Sequence, residues 1–231
     1  MKTLGIIGGM SPESTAIYYT QINRLVNARL GGNHSAKIIL QSLEFEEIVQ
    51  KQKSGDWQGA GAILAQSAKN LQNAGADAIV LATNTMHKVA DLIEQNIDVP
   101  FLHILDAVAE NIQHNQMHTV GLLGTRFTMQ DDFYRGGLAA RGIQTLVPND
   151  EMQAEIHRII FEELCVGKFT QASKKIYLNI INYLSKNGAQ GVILGCTEIG
   201  LLINQNDTPL KLFDSTEIHI QKAVDFFLQA T

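Results

Sequence analysis

The chain has 231 residues, 45% of them apolar, a formal net charge of −5 and a pI near 5.8. That length holds one large α/β domain or two of about 100 residues each. The acidic balance argues against a nucleic-acid partner, which needs a basic face. No apolar run reaches the roughly 18 residues of a membrane span, and the N-terminal MKTLGIIGG lacks the apolar core of a signal peptide. Cys165 and Cys196 alone make neither a disulfide framework nor a thiolate-rich zinc site, so a reducing cytoplasm is the expected compartment.

From the N-terminus, Thr3–Ile7 reads as a strand that breaks at Gly8-Gly9. Ser11 reads as a helix N-cap with Pro12 at the first helical position, and the helix runs through Ala16–Leu30 until Gly31-Gly32 stops it. Ile38–Leu43 is a second strand, followed by helix and loop over Glu44–Trp57. Gly59–Ala74 is an amphipathic helix with Ile63, Leu64, Ala68 and Leu71 on one face. Ala78–Leu81 is a strand with the polar exit Ala82–Thr85, then come a helix through His87–Gln95 and a short strand at Pro100–Ile104. Such alternation predicts a parallel sheet. The pattern then restarts with a strand at Val120–Leu123, a helix from Gln130, a strand near Thr145–Val147, and helices over Glu151–Leu164 and Gln171–Asn187. Val192–Gly195 is a buried strand, Lys211–Phe213 a short one, and a final helix runs from Asp214 or Ser215 to Leu228.

Two segments repeat. GADAIVLATNTMH from Gly75 and GAQGVILGCTEIG from Gly188 share a Gly-Ala opening, an apolar run and a polar exit, 113 residues apart, which overlays Cys196 on Thr83. Gly121–Gly124 echoes Gly5–Gly8 at an offset of 116. Gly-rich strand exits recur in any doubly wound protein, but two concordant offsets in the same order predict two similar α/β halves with ligand at the carboxyl ends of their strands. If the halves are related by a pseudo-twofold axis, Thr83 and Cys196 face each other across the cleft between them.

A cysteine at such an edge can serve as thiolate nucleophile or base, and a following helix N-terminus would lower its pKa. The plainer reading is a small buried hydrophobe. Ser11, Thr83, Asn84, Thr85, Thr125, Thr128 and Thr197 all lie just past strand ends. Each alone reads as a helix cap; together they read as an edge that binds a carboxylate or phosphate. The Gly8-Gly9 turn is neither G-x-G-x-x-G nor a P-loop. His87 and His219 are placed to hydrogen-bond a catalytic group or to hold structure. His114 and His118 have H-x-x-x-H spacing without the zincin Glu and read as solvated. Cys165 falls late in a helix and reads as buried packing.

At these residues the chain resembles the aspartate/glutamate racemase family, which works without pyridoxal phosphate. The matching motifs are GIIGGMSPEST (Gly5–Thr15), ATNTMH (Ala82–His87), GLLGTRFTM (Gly121–Met129), GCTEIG (Gly195–Gly200) and FDSTEIH (Phe213–His219). The resemblance implies two pseudo-symmetric three-layer α/β domains with parallel sheets and the active site in the cleft between them. The first would be 1–103 with 207–231, and the second an insertion over 104–206. It implies a homodimer, no cofactor and no metal. The family's two opposed cysteines correspond to Thr83 and Cys196, which resembles a subgroup with Thr at the first position. Cys196 would take the α-proton of an L-amino acid, L-aspartate or L-glutamate, and Thr83 would stand on the opposite face. Asn84, Thr85, Thr125, Thr128 and Thr197 match substrate-binding positions, Met10 and Gln52 are further candidate substrate contacts, Gln52 from the loop over the site, and Cys165 stands where the family often has a Lys for the distal carboxylate. Two alternatives stay open: a related cysteine-dependent isomerase or decarboxylase of small carboxylates, and a non-catalytic amino-acid-binding relative.

Overall fold

The computed structural model describes residues 1–229. Its first part runs β1 (Thr3–Gly8), α1 (Pro12–Leu30), β2 (Lys37–Ser42), α2 (Phe45–Ser54), α3 (Trp57–Asn73) and β3 (Ala78–Leu81). A 3-10 turn (Thr85–Val89), α4 (Ala90–Glu94) and β4 (Phe101–Leu102) follow. The pattern restarts with α5 (Ile104–His114), β5 (Thr119–Leu123), α6 (Arg126–Gln130), α7 (Asp132–Ala139), β6 (Gln144–Leu146) and α8 (Asp150–Glu162). A 3-10 turn (Leu164–Val166), α9 (Gln171–Lys186), β7 (Gly191–Leu194), α10 (Ile199–Leu202), β8 (Lys211–Asp214) and α11 (Ser215–Leu228) complete it.

Among these residues the strands form two four-stranded sheets, β2-β1-β3-β4 and β6-β5-β7-β8, with every pairing parallel. The two orders correspond strand for strand, so the fold is two pseudo-symmetric α/β units. One unit is Met1–Ile104 together with the chain from His219 on; the other is Leu105–Ile218.

In the first unit, side-chain alternation along β1 and β3 sends Leu4, Ile6, Ala78 and Val80 to one face and Ile7, Ile79 and Leu81 to the other. Both faces are therefore apolar and both are covered, as parallel sheets require. Tyr18, Ile22 and Val26 of α1 and Ile220, Ala223, Val224 and Phe227 of α11 cover one. Leu64, Ala68 and Leu71 of α3 cover the other. In the second unit, Leu123, Val192 and Leu194 pack under Ile156, Ile159 and Ile160 of α8 and Tyr177, Ile180, Ile181 and Leu184 of α9. Each fully buried Leu or Ile contributes about 1.5–3 kcal/mol.

Local signals explain several boundaries. The Ser11 hydroxyl accepts the Ser14 amide at 3.2 Å and caps α1. Gly9 has φ +93°, and a Cβ there would lie 2.2 Å from the Leu43 carbonyl oxygen. Gly9→Ala is therefore expected to destabilise the protein by about 3 kcal/mol or more, from a strained φ and a clash with backbone that cannot retreat. Urea unfolding of the variant measures this, and a loss below about 1 kcal/mol would show that the β1–α1 turn yields.

Five readings of the sequence are corrected. The segment 207–218, assigned to the first domain, belongs to the second unit, because β8 pairs with β7 along its whole length. Ile104–His114, given no element, is a helix. The strand at Pro100–Ile104 shrinks to two residues, and the helix expected after β3 starts as a 3-10 turn. Cys165 lies in a 3-10 turn and is half-buried rather than packed inside a helix. Among the described residues no helix is long and apolar enough to cross a membrane.

Candidate active site

In each sheet the chain leaves the first strand to one side and returns on the other, so the strand order reverses between β1 and β3 and between β5 and β7. The carboxyl ends of parallel strands open a crevice at such a switch point. Thr83 and Cys196 stand there. Thr83 is two residues beyond Leu81, which pairs with Ile7, and Cys196 is two residues beyond Leu194, which pairs with Leu123.

At the first exit, Thr83 is half-buried and its backbone is held firmly. Its N–H donates to the Leu81 carbonyl at 2.9 Å, and its own carbonyl accepts from His87 Nδ1 at 2.8 Å. His87 Nε2 accepts the Ile104 N–H at 3.3 Å, which assigns the proton to Nδ1 and leaves the ring neutral. Burial pushes His87 well below the usual histidine range, and His103 and His219 add to this. His219 is equally committed. Its Nδ1 accepts from the Tyr18 hydroxyl at 2.8 Å and its Nε2 donates to the Leu102 carbonyl at 2.5 Å. Burial brings its pKa down to about 4. These two histidines tie the ends of β3 and β4 to α1 and α11; they are scaffold.

The N-cap of the 3-10 turn after β3 is Asn84, so the Thr83 hydroxyl does not cap it. Asn84 is buried and Thr85 half-buried. Gln52 reaches this exit from α2, its Nε2 donating to Met86 Sδ at 3.0 Å. Met10 is buried in the core between β1 and α3.

At the second exit, the Gly195 N–H donates to the Leu123 carbonyl at 2.6 Å, clamping the β7 end to β5. Thr125 caps α6 by accepting the Thr128 amide at 3.2 Å, and the two hydroxyls lie 3.2 Å apart. Thr128 is completely buried, so a substrate contact there requires this pair to open. Thr197 is buried beside Cys196. Cys196 is half-buried, and its Sγ donates to Glu198 Oε2 at 2.9 Å.

That contact reverses the expected electrostatics. Burial raises the Cys196 thiol well above its usual range, and the charge of Glu198 raises it further. The helix expected to depress it, α10, is only four residues long and begins beyond Glu198. The resting thiol is therefore protonated. The carboxylate that accepts its S–H is Glu198, which the sequence reading does not single out. A carboxylate two residues after a strand-exit cysteine was the available signal. His114 ends α5 and His118 lies beyond it, so the pair does not share a helix face. The second exit can move a proton between sulfur and carboxylate, and the first presents a hydroxyl at the matching position.

Comparison with known proteins agrees with this arrangement. The Asp/Glu/Hydantoin racemase family pattern covers residues 7–223. The crystal structure of a "putative Asp/Glu racemase" from Yersinia pestis is 51% identical, covers 99% of this chain and 100% of its own, and superposes with a TM-score of 0.94. An aspartate racemase homologue from Pyrococcus horikoshii is 40% identical over 99% of this chain and 100% of its own, with a TM-score of 0.87. The broad specificity amino-acid racemase of Bacillus subtilis is 23% identical over 97% of this chain and 98% of its own length. With a match across most of its length and two matched sheets ending in Thr83 and Cys196, the chain belongs to the Asp/Glu/Hydantoin racemase family.

Proposed function

We propose that the protein is a cofactor-independent amino-acid racemase acting on L-aspartate or L-glutamate, with Cys196 as base and Thr83 on the opposite face of the α-carbon. The observation that carries this reading is the equivalence of the two exits. Thr83 and Cys196 occupy the same position beyond corresponding strands of two sheets of the same order. In the forward direction the Cys196 thiol passes its proton to Glu198, and the resulting thiolate removes the α-proton of the L-enantiomer. A proton returns from the other side by way of the Thr83 hydroxyl or a water it orients. A hydroxyl is a poor base at neutral pH because its pKa lies far from the operating pH. The two directions therefore differ in initial rate, while the equilibrium between enantiomers is fixed by their equal free energy.

Incubation with L- and D-aspartate and glutamate in deuterium oxide, followed by NMR of the α-proton, tests this. Wild type is expected to exchange L-substrates faster than D-substrates. Thr83→Cys supplies a base matched to the task and is expected to raise D-side exchange by about tenfold or more. An unchanged ratio of D to L rates would remove Thr83 from the opposed pair. Binding without exchange would point to a non-catalytic relative, and loss of carbon dioxide to a decarboxylase.

A further inference from the structure

Of the motif FDSTEIH (Phe213–His219), His219 is scaffold, which leaves Asp214 and Ser215. Both stand where β8 passes into α11, and β8 lies beside β7 with Asp214 opposite Leu194. This junction grips the β7 exit on both sides of Cys196. Before the cysteine, the fully buried Ser215 hydroxyl donates to the Leu194 carbonyl at 2.7 Å. After it, Asp214 Oδ2 packs on Gly200, so closely that a Cβ there would lie 2.0 Å away.

The carboxylate is not free to swing aside. Its other oxygen, Oδ1, accepts the Thr216 amide at 2.9 Å and the Glu217 amide at 3.1 Å, which caps α11. Gly200 is equally fixed. Its neighbours Ile199 and Leu201 donate their amides to the carbonyls of Cys196, at 3.1 Å, and Glu198, at 3.2 Å. The segment Cys196–Leu201 is thus one hydrogen-bonded turn, with a pinned carboxylate seated on the glycine between its two donors. A helix of four residues such as α10 has little stability of its own, so the turn depends on what holds it from outside.

We propose that Asp214 is a positioning residue for the Cys196–Glu198 pair: seated against Gly200, it fixes the turn that keeps the Glu198 carboxylate 2.9 Å from the Cys196 sulfur. No bond forms or breaks at Asp214. The inference rests on the reading of Cys196 as base and Glu198 as acceptor of its proton, but its test reads the thiol directly and does not need turnover.

Asp214→Ala removes the carboxylate, whereas Asp214→Asn keeps its shape and an acceptor for both amides. Alkylation by iodoacetamide is followed above neutral pH, where the Asp214 carboxyl, raised by burial to about 6, is ionised. Peptide mass spectrometry counts Cys196 apart from Cys165. The charge of Glu198 raises the Cys196 thiol, so a Glu198 that is no longer held in place lets it fall. Asp214→Ala is therefore expected to move the Cys196 profile to lower pH, raising the rate below the midpoint about tenfold, as for a one-unit shift. At the same time kcat for L-side exchange should fall about tenfold with KM unchanged, because the proton acceptor has left its place. Asp214→Asn should restore both, and the Cys165 profile should not move in either variant. Gly200→Ala drives a methyl against the carboxylate and should slow exchange as Asp214→Ala does, while the double variant should be no slower than Asp214→Ala alone. A Cys196 profile in Asp214→Ala superimposable on wild type overturns the proposal. So does a shift shared by Cys165, which would mean general loosening, or a failure of Asp214→Asn to restore the profile. Losses that multiply in the double variant overturn it as well. Should Gly200→Ala not fold, the two Asp214 variants decide alone. If Cys196→Ser keeps its activity while Asp214→Ala still moves the alkylation profile, the positioning role stands and the base assignment fails.

Discussion

Cys196→Ser is expected to slow α-proton exchange of L-substrates by about 10³-fold or more. The serine hydroxyl is close in size and can donate to Glu198 as the thiol does at 2.9 Å, so the exit of β7 keeps its geometry. What disappears is the more acidic of the two protons, the one a thiol can give up within the site and an alcohol cannot. Even with burial and Glu198 raising it, a thiol ionises far more readily than an alcohol. Exchange of L-aspartate and L-glutamate in deuterium oxide, paired with circular dichroism and urea unfolding, separates lost chemistry from lost fold. A variant within tenfold of the wild-type rate would remove the thiolate mechanism. An inactive variant that is also unfolded would leave the assignment to be tested by alkylation.

His219→Leu is expected to destabilise the protein strongly, and by an amount that depends on pH. The substitution removes the two buried hydrogen bonds that His219 makes, with the Tyr18 hydroxyl and the Leu102 carbonyl, at a cost of about 2–4 kcal/mol at pH 7.5. The gap should then shrink in acid. His219 titrates at about 4 in the fold but near 6.5 in the unfolded chain. Between these values the unfolded wild type binds a proton that the folded protein refuses. Its stability from this group is complete above pH 6.5 and is lost as pH falls toward 4. The variant has no such proton to bind, so its deficit should narrow by about 2 kcal/mol between pH 7.5 and 5. Asp214, which burial raises to about 6, contributes the opposite slope in both proteins, so the difference between them isolates the histidine. Urea unfolding at the two pH values measures it, and a constant deficit would mean that His219 is charged in the fold.

Much of this architecture is legible in the sequence because its signals are local. The apolar runs of β3 and β7 end on polar residues at a fixed offset, and Ser11-Pro12 marks a helix start whose cap the structure bears out. The resemblance drawn from the motifs points to the same family that the comparisons establish. Helix α5 is harder to see. Its core residues Val108 and Ile112 sit among Asp106, Glu110, Asn111 and Gln113, and the residue before it, His103, is not one of the Ser, Thr, Asp or Asn types that mark a helix start in a sequence. The placement of 207–218 depends on strand pairing between distant segments, which no local pattern encodes. The direction of the Cys196 shift was missed for a related reason. It follows from how deeply the thiol is enclosed and where Glu198 turns, both of which are products of tertiary packing.

The return of α11 to the first sheet has a consequence for biosynthesis. All four strands of that sheet are made by Leu102, yet Leu4, Ile6, Ala78 and Val80 share their face with Ile220, Ala223, Val224 and Phe227, which the ribosome reaches only after the whole second unit. At about 5–20 residues per second, that apolar surface waits on the order of ten seconds for its cover. The intervening Leu105–Ile218 can complete its own sheet in the meantime, since all its strands lie within it. The later unit is thus placed to mature before the earlier one. A nascent chain stalled short of α11 would leave uncovered the part of that face beside α1, the kind of surface that chaperones and aggregation compete for.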